Sequence, residues 1–102
     1  MNKKQIQIRE RFRKEVFKRD HYKCVVCKET AVDAHHIIDR SLWPDGGYIL
    51  DNGVSLCTDH HKEAEKNKIS TEHLRQLAGI MYIALPLGFD PTKKYDKWGN
   101  II

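Results

Sequence analysis

Two stretches decide the fold of this chain: CVVCKETAVDAHHII (residues 24–38) and NGVSLCTDHHK (residues 52–62). The first joins a Cys-x-x-Cys pair to a histidine pair, and the second joins an asparagine to Cys-x-x-His-His. Together they supply more metal-binding side chains than one ion coordinates. We therefore expect two sites: a closed metal site that holds a small fold together, and an open site that performs chemistry.

The closed site is predicted from the spacing of four ligands. They are Cys24, Cys27, Cys57 and His60. A two-residue spacer lets both members of each pair reach one tetrahedral zinc ion. The alternative is that each cysteine is a small buried hydrophobic residue, but that does not explain two pairs with the same spacing. His60 and His61 diverge by about 100° on a helix, so one faces zinc and the other the second site; we assign His60 to zinc.

Length and composition indicate one domain, residues 1–102. Hydrophobic residues make up 40% of the chain, so we expect a thin apolar core that a structural metal supports. Three cysteines do not suit a disulfide framework, and a thioredoxin-like motif would need a βαβ pattern that is absent here. The sequence has neither a signal-peptide pattern nor an apolar run of about 20 residues. We therefore expect an intracellular protein without a membrane partner.

The charge pattern favours a nucleic-acid partner. The net charge is +4, and basic residues crowd the first segment of the chain: Arg9, Arg11, Arg13, Lys14, Lys18 and Arg19. A solvated basic surface is the alternative, but this clustering is typical of proteins that bind a polyanion. The candidate DNA contacts are Arg19, Arg40, Lys62 and Lys66.

Local patterns predict an α+β chain. The predicted elements begin with a helix over about 4–19, a turn over 20–30 and a strand over 31–38. A loop over 41–47, a brief strand at 48–50 and a strand at 54–56 follow. Two helices come next: one runs to about 67 and is capped by Thr58 or Asp59, and the other is capped by Ser70 or Thr71. The last helix is expected to present Leu74, Leu77, Ala78 and Met81 on one face. The basic and aromatic tail either packs back on the core or contacts a partner.

At this point the chain resembles the HNH nucleases, the ββα-metal group that includes colicin DNases and many phage endonucleases. The resemblance covers about residues 19–66. It rests on Arg19-Asp20-x-Tyr22-x-Cys24-x-x-Cys27, on Ala34-His35-His36-Ile37, and on Asn52-Gly53-Val54-Ser55-Leu56-Cys57-x-x-His60-His61-Lys62. It implies a small ββα-metal (His-Me finger) core with a structural zinc knuckle. An N-terminal basic helix (about 4–19) and a C-terminal helix and tail (about 70–102) would flank this core.

The resemblance also implies a role for each residue of the open site. His36 matches the family's general base, and His35 takes the neighbouring metal-ligand position, where many members have Asp. His61 matches the second protein ligand, and Asn52 matches the asparagine that fixes the loop between strands and orients the base. Knuckle-bearing members usually have Cys at the position of His60. Mg²⁺, Mn²⁺, Ni²⁺, Co²⁺ and Zn²⁺ all remain candidates for the open site.

The implied function is a metal-dependent DNA endonuclease, similar to stand-alone phage-type HNH proteins, some of which work beside packaging (terminase) proteins. A histidine base with an ordinary pKa near 6.5 predicts activity that falls as the pH drops through that range. The second hypothesis is a non-catalytic zinc-binding nucleic-acid module, which leaves His35, His36 and His61 unexplained. A zinc deaminase is set aside because H-x-E and P-C-x-x-C are both absent. Sequence specificity, nicking against double-strand cleavage, and monomer against dimer stay open.

Weaker alternatives stay open at individual positions. Asn52-Gly53 can be a simple turn. Arg40 is either a phosphate contact or a surface charge. Asp33 either contacts the metal ligand His35 without binding the metal itself, or is an exposed strand residue.

Overall fold

The structure is a computed structural model that describes residues 2–102. Its main elements, in chain order, are α1 (Lys3–Arg19), β1 (Asp33–His36), β2 (Gly53–Leu56), α2 (Thr58–Glu65) and α3 (Thr71–Ala78). Short 3-10 turns at Arg40–Leu42 and Leu50–Asn52 lie between the two strands. Three helices and a two-stranded antiparallel sheet confirm the predicted α+β class. No helix in this part of the chain is both long and apolar enough to cross a membrane.

The first helix begins close to its predicted start because Asn2 and Gln5 form a capping box. The Asn2 side chain accepts a hydrogen bond from the Gln5 N–H, and the Gln5 side chain accepts one from the Asn2 N–H. At the other end Asp20 follows the helix and accepts a hydrogen bond from the Ser55 N–H at 2.9 Å. This bond ties the end of α1 to β2.

The two strands pair in an antiparallel register that places His35 opposite Val54. β1 is shorter than the predicted strand over residues 31–38. The chain leaves the sheet after residue 36, where the Ile37 N–H bonds to the Asn52 carbonyl at 2.8 Å. The histidine pair therefore lies at the last two positions of β1.

The segment at residues 48–50 was predicted as a brief strand, and that prediction is wrong. The Asn52 N–H bonds to the Ile49 carbonyl at 2.8 Å and closes a 3-10 turn. Ile49 is still extended, but the turn begins at Leu50, so too little extended backbone is left to pair, and the turn brings the Asn52 side chain toward the end of β1.

The caps of the last two helices differ in how well they were predicted. α2 is capped by Cys57, not by either of the two residues after it, because Cys57 is still in extended conformation at the end of β2. Ser70 caps α3 as predicted, accepting a hydrogen bond from the His73 N–H. α3 ends at a left-handed Gly79 (φ 70°). Met81 therefore lies beyond the helix and is 95% exposed, so its predicted place on the helix face is wrong.

The tail packs back on the core, which decides between the two alternatives left by the sequence. The Lys97 carbonyl accepts a hydrogen bond from the Asp39 N–H at 2.8 Å, and the Trp98 indole donates to the Glu65 carbonyl at 3.2 Å. Lys97 itself is only 3% exposed. The tail thus bridges the segment after β1 and the end of α2.

At Gly53 the backbone of β2 lies directly against side chains of α1. A Cβ built there would lie 2.5 Å from Val16 Cγ2 and 2.7 Å from Phe12 Cζ. We predict that Gly53→Ala lowers the free energy of unfolding by about 1–3 kcal/mol through overpacking, measured by urea denaturation. Adding Phe12→Leu should recover part of that loss in a double-mutant cycle. Purely additive effects would show that this contact does not limit the packing.

Candidate metal centres

The predicted zinc ligands come together in space. They are Cys24, Cys27, Cys57 and His60, and their ligand atoms lie within 4.8 Å of one another. The Sγ atoms of Cys27 and Cys57 are 3.8 Å apart, and His60 Nδ1 is 3.2 Å from the Cys57 Sγ. Two sulfurs bound to one tetrahedral zinc at about 2.3 Å also lie about 3.8 Å apart. The cluster could hold a metal ion, and its spacing is compatible with structural zinc.

The surroundings of Cys24 and His60 suit metal binding. Burial raises the pKa of the Cys24 thiol, but hydrogen bonds from nearby backbone N–H groups outweigh it and lower that pKa to about 7. The thiolate is the form that binds metal. His60 turns Nδ1 toward the sulfurs while its Nε2 lies 3.6 Å from a Glu63 carboxylate oxygen. A carboxylate next to the ring nitrogen that does not bind the metal orients the ring of a ligand histidine.

His60 and His61 can be distinguished experimentally, because they face different clusters. We predict that His60→Ala loses bound zinc and lowers the thermal transition by at least about 10 °C, since such a site contributes to folding. His61→Ala should keep its zinc. His73→Ala, at an exposed position on α3, is the control. Zinc content by elemental analysis and melting by circular dichroism give the readout, and zinc retained in His60→Ala would refute the assignment.

A second cluster lies on the other side of α2. His35, His61 and Glu65 have ligand atoms within 4.8 Å of one another. Glu65 Oε1 is 3.1 Å from His61 Nε2 and 3.6 Å from His35 Nδ1. Neighbouring ligands of an octahedral ion with bonds of about 2.1 Å lie about 3 Å apart. Two nitrogens and one oxygen fit a divalent ion, and three ligands leave positions open on it.

The state of His35 is the strongest local sign of a metal ligand. Its side chain is 2% exposed, and neither ring nitrogen has a hydrogen-bond partner within residues 2–102. A buried polar atom without a partner costs about 1–3 kcal/mol, and coordination of an ion would remove that cost. Burial also lowers the pKa of His35 to about 4, which keeps the ring neutral and able to bind metal.

Glu65 is the site residue that the sequence analysis missed. It follows His61 by four residues, which puts both side chains on one face of α2, and this spacing is the signal that could have identified it. Its pKa lies well below the usual range because of the adjacent His35 and the Lys97 ammonium 3.7 Å away. Asp33 supports His61 rather than His35, with 2.9 Å between Asp33 Oδ2 and His61 Nδ1.

His36 projects beside the second cluster into a cleft of about 350 Å³. Its ring stacks on Phe12, with centroids 4.6 Å apart and planes 19° apart, and meets the edge of Tyr48 at 5.2 Å. Burial, then the nearby Lys97 charge, lower the pKa of His36 to about 4. The ring is therefore neutral at any pH above about 5. If His36 acts as a base, activity should therefore fall at a lower pH than the value near 6.5 expected from an ordinary histidine.

Asn52 joins the start of β2 to the segment after β1. It is fully buried, its Oδ1 accepts from the Ile38 N–H at 3.0 Å, and its Nδ2 donates to the Ile38 carbonyl at 3.1 Å and to the Gly47 carbonyl at 3.3 Å. A residue that only formed a turn would not need these bonds. The side chain fixes the loop directly after His36; its part in catalysis stays a prediction.

The predicted DNA contacts are scattered over the surface. Arg40 lines the cleft, where its guanidinium donates to the Tyr48 hydroxyl at 3.2 Å. Arg19 makes a two-pronged ion pair with Asp20 and donates to two backbone carbonyls, which gives it a structural role. Lys62 on α2 and Lys66 directly after that helix are exposed and do not line the cleft.

The depressed pKa of His35 predicts how stability depends on pH. The unfolded chain has a histidine pKa near 6.5, so it binds protons more readily than the folded state between about pH 6.5 and 4. The stabilisation is complete above pH 6.5 and is lost as the pH falls toward 4. Between pH 7 and 4.5 we predict a loss of about 2–3 kcal/mol from this group.

The matched variants are His35→Gln and the exposed-site control His73→Gln. Urea unfolding is measured at both pH values, with zinc at the cysteine cluster and no other divalent ion added. His35→Gln should show a flatter pH dependence than the wild type, while His73→Gln should match it. Identical pH dependence in all three proteins would contradict a buried, neutral His35.

Comparisons with known proteins supply no family. No protein-family model, no curated protein and no solved structure matches this chain. The assignment of function therefore depends on the residues and geometry described above.

Proposed function

We propose that this protein is a metal-dependent DNA endonuclease of the HNH type. The observation that carries the proposal is the cluster of His35, His61 and Glu65 beside the neutral His36 at the floor of one cleft. The proposal includes the finer fold assignment: β1, β2 and α2 form a ββα-metal core, and the cysteine cluster is its zinc knuckle.

The residues divide the reaction between them. A divalent ion held by His35, His61 and Glu65 would offset negative charge on the scissile phosphate and on the leaving oxygen. His36 takes the proton from the attacking water, because its imidazole is neutral and lies in the same cleft. Arg40 binds a phosphate oxygen from the rim of the cleft.

The donor set also bears on the choice of ion. Two imidazoles and a carboxylate suit Mn²⁺, Ni²⁺, Co²⁺ and Zn²⁺, and Mg²⁺ when phosphate and water complete the shell. The same proposal places the enzyme inside a bacterial or phage-infected cell, with DNA as substrate and a packaging (terminase) protein as a candidate partner.

The first experiment is cleavage of supercoiled plasmid by the zinc-loaded protein with added Mg²⁺, Mn²⁺, Ni²⁺ or no ion. We expect metal-dependent nicked or linear product from the wild type. His36→Ala should slow cleavage by at least about 100-fold because it removes the base. Glu65→Gln should raise the metal concentration for half-maximal activity by at least about tenfold.

Glu72→Gln is the control, because Glu72 lies on α3, where its carboxylate pairs with Lys94 at 3.3 Å and belongs to neither metal cluster. It should cleave as the wild type does at every metal concentration. Cleavage by His36→Ala at the wild-type rate would rule out His36 as the base. No cleavage with any metal, together with salt-sensitive DNA binding, would favour the non-catalytic binding module instead.

A further inference from the structure

The first helix forms one wall of the candidate cleft. Arg9, Phe12 and Arg13 lie three and four residues apart, so they share one face of α1. Phe12 is 5% exposed and stacks on His36, which fixes this face against the proposed base. Arg9 and Arg13 line the same cleft as His36. Two guanidinium groups therefore line the cleft beside the Phe12–His36 stack.

Arg13 is partly ordered before any ligand arrives. One of its N–H groups donates to the Val32 carbonyl at 3.3 Å, and its guanidinium lies over the Phe17 ring at 4.8 Å. A guanidinium has five N–H donors, so one protein hydrogen bond leaves others for a ligand. Holding the group in place reduces the entropy lost when it binds.

The other basic residues of α1 occupy a different face. At about 100° per residue, Arg11 and Lys18 lie on the side of the helix opposite Arg9 and Arg13. Arg11 pairs with Glu15 at 3.0 Å, and its side chain is 81% exposed. The basic cluster seen in the sequence is therefore spread around α1, and Arg9 and Arg13 are its members that line the cleft.

We propose that Arg9 and Arg13 bind backbone phosphates of duplex DNA next to the phosphate that is cleaved, so that α1 sets the position of the strand over His36. This rests on the proposed nuclease function. Guanidinium groups bind phosphate with two parallel hydrogen bonds, and side chains four apart on a helix have Cβ atoms about 5–6 Å apart. Contacts of this kind fix the register of the duplex but read no bases, so α1 confers no sequence preference.

Glu10 lies on the same wall and has the opposite charge. It opposes an approaching phosphate and limits the affinity for DNA. A substitution that removes only the Glu10 charge should therefore change the affinity for DNA in the opposite direction to the loss of Arg9 and Arg13.

The test measures DNA binding apart from cleavage. A short fluorescein-labelled duplex is titrated with zinc-loaded protein across a range of NaCl, with no added divalent ion, and a gel confirms that the DNA stays intact. The double variant R9Q/R13Q is compared with R11Q/K18Q, which removes the same charge from the opposite face.

Each phosphate contact contributes about 0.9 to the slope of log K against log [salt]. We expect R9Q/R13Q to lower the slope by about 2 and R11Q/K18Q to leave it nearly unchanged.

One further variant keeps the test decisive. All four substituted side chains are exposed, so thermal melting should match the wild type. Should R9Q/R13Q fail to fold, Glu10→Gln alone is informative: it should tighten binding, and unchanged or weaker binding would overturn the proposal. Equal losses in the two double variants would also overturn it, because α1 would then act only through its overall charge.

The outcomes separate this proposal from the nuclease proposal. A protein that binds DNA through Arg9 and Arg13 but cleaves with no metal would leave this inference standing and remove the nuclease. A protein that cleaves DNA while both double variants bind alike would do the reverse.

Discussion

The rest of the structure depends on how the cysteine cluster fixes the start of α2. Cys57 directly follows β2 and caps the helix, and His60 lies on its first turn, while Cys24 and Cys27 come from the turn before β1. An ion shared by the four would lock the direction of α2 relative to the sheet. The next residue along the helix, His61, then faces β1 and His35.

This arrangement explains why so small a chain can bring charged and polar groups together in its interior. Burial leaves His35 neutral with both nitrogens unpaired, and the adjacent Glu65 and Lys97 are held as an ion pair. Such a centre costs stability in the absence of an ion. The buried cluster of Ile37, Val54, Leu56 and Leu74 on either side of it supplies the hydrophobic stabilisation that offsets this cost.

Much of this could be predicted from the sequence, because metal ligands have fixed spacings. The two Cys-x-x pairs and the capping signal at Ser70 each depend on a few neighbouring residues, and local patterns recover such features well. The 3-10 turn at residues 50–52 could not be predicted, since it forms to let Asn52 reach a backbone segment 14 positions earlier. Which basic residues of α1 line the cleft likewise becomes clear only when Phe12 is known to stack on His36.

The position of Lys97 has a consequence for how the protein is made. Its ammonium lies between two carboxylates, 3.4 Å from Asp39 and 3.7 Å from Glu65, and it also donates to the His36 carbonyl at 3.0 Å. The last candidate metal ligand in the chain, Glu65, is synthesised about thirty residues before residue 97. Until the tail folds back, those two carboxylates have no lysine between them. The centre described here is therefore completed late in synthesis. A chain truncated before residue 97 would contain every candidate metal ligand but would lack the lysine that bridges Asp39 and Glu65.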